Sequence, residues 1–495
     1  MSKIIIQNGN MCELDLPLKF AQKLYNEFAI RHPNAFYLRT RQRGMQNWDG
    51  KIHYITKTGQ FKIGLLPKVY DMCIEMGIKP KVVDMRQPLP KVSKVVTNIG
   101  KYKLRPEQEK AVKSVINNRV GNIPFQIGVL DLTVNFGKTL IMTSLYLSYK
   151  KQLKTLLITN DSDWLNQARE EFKQYLPGED ITFVQGKVLN WSNFTIGMVQ
   201  SISRNMRFYQ QELSKIDMVL VDEADQGGSK QYQNVITRLF NTRIRIGLSG
   251  TIYMSKLAKD KVKNMNLECF FGKVIAEFKL KDSIKKGYST KTIVKMVPGK
   301  PWYGNWESDC ISYKEIYDDS ITNCYTAWLM AYNRLLWNLN QGRYPALVVC
   351  KHIAHCENLY KFFKKKLGDA YNIAYVHVNT PSKLRQQIMK DFREGKIDIL
   401  VSTTIIARGK NFPKLKYLLN TASMDSQEKS IQFLGRLVRT DESKNKVYLD
   451  DLHYPGNYLD RHGKHRKQYY QRQELKVILL DKLWKKHPNH SLIKS

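Results

Sequence analysis

Cysteine is scarce and unpatterned in this chain. Cys12, Cys73, Cys269, Cys310, Cys324, Cys350 and Cys356 are odd in number and contain no CxxC pair, which argues against a disulfide framework and suits a reducing compartment. Long apolar runs are missing too. Nowhere do eighteen apolar residues stand together, and the opening MSKIIIQNGNMCELDL lacks a basic n-region, an extended apolar core and a small-residue cleavage site, so neither secretion nor a membrane-spanning helix is expected. Gly 28 and Pro 16 in 495 residues exclude low-complexity and collagen-like chains. The telling shortage is of acid: 44 Asp+Glu stand against 80 Lys+Arg, a net charge of +36, and a field of that size favours a polyanionic partner. Nucleic acid leads. Anionic lipid would call for an amphipathic helix with its cations on one face, whereas here they are spread along the chain.

What is present is a globular composition, 42% hydrophobic and 25% charged, in a chain long enough for two or three domains with cores of their own. From about residue 120, short apolar runs alternate with helical patterns: PFQIGVLDL, TLLITN, TIGMVQS, DMVLVDE and IRIGLSG, then PALVVC, NIAYVHV, DILVST, LKYLLN and KVYLDD. This βα alternation predicts parallel sheets in two α/β lobes. Over about residues 281–340, VPGKPWYGNWESD and a helix-patterned stretch from Tyr313 to Trp337 read as a connector. Residues 1–95 read as a small α+β unit in which FYLRTRQRGMQNWDGKIHYITKTGQFKIG suggests a twisted, hairpin-rich sheet. The predicted division is 1–95, 96–280, 281–455 and a basic extension, 456–495, with ten Lys/Arg from Arg461 onward against Glu474 and Asp481.

Phe136-Gly137-Lys138-Thr139 follows an apolar run and opens the helical pattern TLIMTSLYLSYK, the strand, loop and helix context of a phosphate-binding loop. Backbone N–H groups and the helix N-terminus would cradle the phosphates of ATP, Lys138 would neutralise the β- and γ-phosphates, and Thr139 would hold Mg²⁺. Leu132 stands where a further glycine is expected and Thr133-Val134-Asn135-Phe136 is bulky, though asparagine tolerates a left-handed turn. A GKT triplet alone is common. Its company is not: eighty-four residues on, MVLV runs into Asp222-Glu223-Ala224-Asp225, and carboxylates at a strand's carboxyl end are costly unless they meet a cation. Asp222 would order the Mg²⁺ shell, and Glu223 would orient and deprotonate the attacking water.

LRPEQ (Leu104–Gln108), FGKT, VDEAD, GLSGT (Gly247–Thr251), TTIIARGKN (Thr403–Asn411) and QFLGRLVR (Gln432–Arg439) stand, over about 340 residues, in the order of the motifs of superfamily 2 helicases, which the chain resembles. The last motif is QxxGRxxR rather than HRxGRxxR, and Ser249-Gly250-Thr251 replaces SAT; both tilt the resemblance from DEAD-box RNA helicases toward DNA-acting members. With NWDGKI (Asn47–Ile52) ahead of FKIGLLPKVYDMC, the whole length is similar to the recombination helicases of tailed bacteriophages, except that Thr133-Val134-Asn135 replaces the expected Pro-Thr-Ser/Gly.

The resemblance implies two RecA-like lobes with ATP and Mg²⁺ in the cleft between them, nucleic acid across both, action on branched DNA in recombination, replication or repair, and a cytoplasmic location, that of the bacterial host for a viral protein. Carried over by position, Gln108 would read the adenine edge, with Arg105 supporting that loop beside Gly137. Arg436 and Arg439, three apart on an expected helix, would be arginine fingers on the γ-phosphate, with Gln432 beside them. Ser249 and Thr251 would couple hydrolysis to strand movement, and Thr403, Arg408 and Gly409 would link nucleotide to nucleic-acid backbone. An RNA helicase, favoured by the literal DEAD, and a non-hydrolysing architectural DNA binder, favoured by the unusual loop, are the alternatives.

Three further features stand outside these motifs. Cys350, His352, His355 and Cys356 have zinc-ligand chemistry, but Cys350 ends an apolar run and AHCENLYKFFKKKL reads as an amphipathic helix, so their side chains are expected to diverge. In the N-terminal unit, Arg39, Arg41, Arg43, Trp48, Lys51 and His53 mix cations with an aromatic as a duplex-backbone binder does, while Trp48 equally suits a small core. The basic extension is either a phosphate contact or a solvated helix.

Overall fold

The computed structural model describes residues 2–41, 45–188, 190–252, 258–299, 312–407 and 412–480, and the chain divides into two compact units, Met1–Phe278 and Lys279–Ser495. In the first, the runs MVLVD and IRIGLS are buried at every position. Such runs become strands because a parallel sheet covered by helices has no wet face to alternate with. The resulting seven-stranded, all-parallel sheet runs from edge to edge as Ile181–Val184, Phe194–Met198, Thr155–Thr159, Met218–Asp222, Ile244–Ser249, Ile127–Leu132 and Val274–Phe278. Asp222 stands opposite Leu248 and Asp131 opposite Ser249, so the carboxyl ends of three neighbouring strands are level.

The N-terminal residues form a four-stranded sheet, Gln60–Lys62, Met11–Asp15, Lys3–Ile6 and Lys81–Asp84, the last parallel to its neighbour. Its alternating inner residues, Ile4, Ile6, Cys12 and Leu14, belong to one hydrophobic core with Val129, Ile158 and Phe271 of the parallel sheet and its helices. Gly9 N–H donates to the Phe240 carbonyl at 2.6 Å. Arg245, fully buried, donates to the Gly9 carbonyl at 2.7 Å and to Asn10 Oδ1 at 2.8 Å. The N-terminal unit is therefore built onto the first lobe. Part of the expected hairpin is instead a helix, Ala35–Arg41, between the paired strands Ala29–Arg31 and Lys51–His53.

The second unit repeats the architecture, with strand order Ile373–Val376, Ile399–Thr403, Ala346–Cys350, Tyr417–Asn420, Lys446–His453, Lys291–Pro298 and Val477–Leu479, all parallel. Two expectations are corrected here. Lys291–Pro298, read as connector, pairs along its whole length with Lys446–His453; it lies next to the edge, and its alternating burial leaves no continuous apolar run to read. The helical stretch beyond it is broken into Tyr313–Tyr317 and Tyr325–Leu339 around a wider turn, Asp318–Thr322. The basic extension also folds in: helix Asn457–Arg472 packs on the lobe and Val477–Leu479 closes the sheet's edge. Residues 481–495 lie outside the described residues. Among the described residues no helix is long and apolar enough to cross a membrane.

Candidate active site

The first lobe gathers its charged residues where three strands end. After Ile127–Leu132 the chain turns through Asn135 (φ 65°) and Gly137 (φ 84°) and enters the helix Lys138–Ser148. Both angles are left-handed, a region asparagine tolerates and glycine occupies without strain. A side chain at 137 would in addition press within 2.5 Å of Gln108 Nε2. The loop is held from several sides. Gln108 Nε2 donates to the Phe136 carbonyl at 2.7 Å, Arg105 Nη2 donates to the same oxygen, and Gln108 Oε1 accepts from the Arg105 N–H at 2.8 Å. The Phe136 ring is buried against Phe278, centroids 4.6 Å apart, with the Arg105 guanidinium 5.4 Å from its centre. Thr133 N–H donates to the Phe278 carbonyl at 3.0 Å.

Bulky loop residues thus serve as anchors here, which loop composition alone did not reveal. Gln108, expected at the adenine edge, has both ends of its amide bonded within the loop and its helix N-terminus. Those two bonds fix the orientation of the amide and leave one N–H and one lone pair of it over.

Lys138 Nζ lies 3.7 Å from Asp222 Oδ1, too far for a hydrogen bond, and that oxygen, buried, has no hydrogen-bond partner. Burial, with Glu223 adding to it against the pull of Lys138, raises the Asp222 carboxyl to about 6. Burial lowers the Lys138 ammonium, but Glu223, Asp222, Asp225 and Asp131 outweigh it and its pKa is raised. Glu223 takes a left-handed backbone (φ 53°) immediately after its strand. A buried carboxylate oxygen without a hydrogen-bond partner fits a hard divalent cation; Asp222 and Thr139, the second residue of its helix, would be the residues to hold one.

The neighbouring strand end contributes Ser249, whose Oγ donates to Asp225 Oδ1 at 2.7 Å and accepts from the Thr251 N–H at 3.1 Å. Gly250 approaches the phosphate loop so closely that a Cβ would stand 3.0 Å from the Leu132 carbonyl. Three sequence motifs are therefore in contact within this one unit. Thr133 is an addition to them: its buried Oγ1 has no hydrogen-bond partner, and its position at the start of the loop was the available signal.

In the second unit Thr403 ends its strand, buried, while Arg408 and Gly409 lie outside the described residues. Gln432 and Arg436 are on the helix Gln427–Leu437. Arg439 is not, which corrects the expectation of one helix carrying both arginines. The helix stops because its terminal carbonyls are taken from outside: Lys444 Nζ donates to the Leu437 carbonyl at 3.0 Å and Thr290 N–H to that of Val438 at 2.8 Å. Of the residues with zinc-ligand chemistry, Cys350 ends a strand, and His355 Nδ1 shares a 3.0 Å hydrogen bond with Tyr317 OH, burial pushing its pKa down to about 3. Among the described residues no group of three or more His, Cys, Asp or Glu is placed to hold a metal ion.

Two families account for most of this arrangement. The one described as type III restriction enzyme, res subunit, matches residues 101–254, and the helicase conserved C-terminal domain matches 329–441. Each compact unit thus carries a match to one of the two. A viral relative, provisionally named helicase 22, from Sulfolobus islandicus filamentous virus (isolate Iceland/Hveragerdi), is 21% identical over 71% of this chain. At 64%, the chain spans less than two thirds of that relative's length. Among solved structures, the ATP-dependent type ISP restriction-modification enzyme LlaBIII bound to DNA is similar over 81% of this chain and 34% of its own, at 15% identity and TM-score 0.58, a likeness of fold. T4 UvsW covers 97% of this chain and 98% of its own, at 19% identity and TM-score 0.45, too loose a likeness to bear on function.

Proposed function

We propose that this helicase hydrolyses ATP with Mg²⁺ and uses the cycle to move along and remodel branched DNA. The observation that carries the reading is the buried Asp222 Oδ1, without a hydrogen-bond partner and 3.7 Å from the Lys138 ammonium: opposite charges are held next to each other and not closed into a bond. Lys138 binds the β- and γ-phosphates, and Glu223 positions the attacking water and takes its proton. Mg²⁺ held by Thr139 and Asp222 would neutralise charge on the phosphates. Gly137, Gln108 and Arg105 set the loop's shape. Arg436 and Arg439, with Gln432, meet charge that develops on the γ-phosphate, a contribution on the order of 10³–10⁵ in turnover for such arginines. Ser249 and Thr251, through Asp225, and Thr403, Arg408 and Gly409 relay the nucleotide state to the nucleic acid.

DNA is supported by the +36 charge together with the QxxGRxxR and SGT variants of the motifs; the literal DEAD sequence favours RNA as a second reading. Phosphate release on fork, four-way junction, single-stranded DNA and RNA tests both readings. Stimulation greatest on branched DNA is expected. Stimulation by RNA alone would reverse the substrate assignment, and no ATP turnover on any of them would leave an architectural DNA binder.

A further inference from the structure

Phe36 is 80% exposed and Tyr37 54% exposed, side by side on the short helix Ala35–Arg41. Single exposed apolar residues are ordinary; a pair of adjacent aromatics ringed by cations is not. A groove of about 580 Å³ runs beside the helix, lined by Arg31, Phe36, Arg39, Thr40, Asp49 and Lys51. The Arg41 guanidinium lies 4.9 Å from the centre of the Tyr37 ring. Asp49, the acid in the lining, is already engaged: it accepts from the Lys51 N–H at 2.9 Å and pairs with His53 Nε2 at 2.7 Å. The exposed Arg31, Arg39 and Lys51 therefore outnumber it three to one.

We infer that this surface is a stacking platform for an unpaired nucleotide of a nucleic-acid strand, its phosphate in the groove and its base on Phe36. The argument is one of charge and shape together. Cations alone fit any polyanion, but an exposed flat ring next to a cationic groove matches a ligand with a π-face every phosphate or two, as in sequence-tolerant single-strand binders. An acidic peptide or an anionic lipid surface supplies the charge without the ring. The inference rests on nucleic acid being the substrate class of this helicase and adds to it a place where the strand is unpaired.

The full chain is the material for the test, with forked DNA carrying 2-aminopurine at an unpaired position next to the fork. Phe36→Ala should weaken fork binding roughly 5- to 150-fold, the range for removal of one stacked base, and relieve quenching of the 2-aminopurine. Its affinity should keep the wild-type salt dependence, because every cation that meets a phosphate is still in place. Phe36→Trp should retain binding and quenching. Arg31→Ala with Arg39→Ala should instead flatten the salt dependence, by about 0.7 in log–log slope for each single-strand phosphate that no longer meets a cation.

Wild-type affinity and quenching in Phe36→Ala would overturn the platform. So would an effect of that variant confined to anionic vesicles or to a polyglutamate peptide. Those outcomes leave the ATPase reading standing if the wild-type chain hydrolyses ATP on forks; absence of that turnover would instead sink the broader reading.

Discussion

The two seven-stranded sheets have the same all-parallel architecture and opposite ways of handling buried acid. In the second unit Asp451 is enclosed: Arg466, itself fully buried, donates to it from Nε and Nη2 at 2.8–3.0 Å, Tyr470 OH at 2.7 Å and Asn420 Nδ2 at 2.9 Å. Its neighbour Asp450 accepts from Arg334, Tyr417 and Asn338 at Oδ2. In the first unit Asp222, buried but less deeply, keeps an oxygen without a hydrogen bond and a lysine held just beyond hydrogen-bonding distance. A buried charge that is fully bonded belongs to the scaffold. One left open stores a cost that a proton or a bound cation can relieve.

Four substitutions sharpen or break that contrast. The largest effect is expected at Lys138: Lys138→Ala should lower ATP turnover by at least about 10²–10³-fold and leave affinity for the proposed DNA substrate largely intact, since it removes one of the 80 Lys+Arg that make up the basic charge. Phosphate release beside equilibrium binding measures both, and near-normal turnover would remove the phosphate-loop assignment.

Next comes the closed pair. Arg466→Met strands Asp451 without its cation and should cost about 3–5 kcal/mol of stability, read as a shift in urea midpoint, with Asp451→Asn restoring part of it in the double variant. A stable single variant would mean the pair is not the strut that its bonds suggest.

Asp222→Asn should behave in the opposite sense. Because the folded carboxyl is raised to about 6 from 3.8, the folded state binds the extra proton between those values, and stability falls as pH rises through that window. The asparagine variant escapes this loss, so wild type should fall relative to it between about pH 4 and 6, by at most about 3 kcal/mol, with no further change above. Parallel stability profiles for the two proteins would show that Asp222 is not strained. The smallest effect is expected for Ser249→Ala, which removes the bond to Asp225: about 1 kcal/mol, and a loss in DNA-stimulated turnover exceeding that in unstimulated turnover if the serine relays strand binding.

Much of this was legible in the chain. The strands Met218–Asp222, Ile244–Ser249, Ala346–Cys350 and Ile399–Thr403 are apolar on both faces, and a run buried on both sides has one structural explanation. The motif residues are local signals too, because a phosphate loop needs its glycine and lysine next to each other. Elements at sheet edges were harder: Lys291–Pro298 alternates, and Val477–Leu479 is short and half-buried.

What the sequence by itself determined is the set of local patterns: periodic apolar runs, the GKT and DEAD neighbourhoods, and the overwhelming positive charge, each carried by residues adjacent in the chain. Tertiary structure alone decided the rest. It decided that the N-terminal sheet shares its core with the first lobe, that Gln108 and Phe136 brace the loop, that the helix Gln427–Leu437 ends before Arg439, and that Asp451 is closed while Asp222 is open. The physical reason is common to all four: a hydrogen bond or a buried contact is made with a partner outside the local element, from 7 to more than 200 residues away, and whether a charge is satisfied depends on that partner and not on its neighbours in the chain.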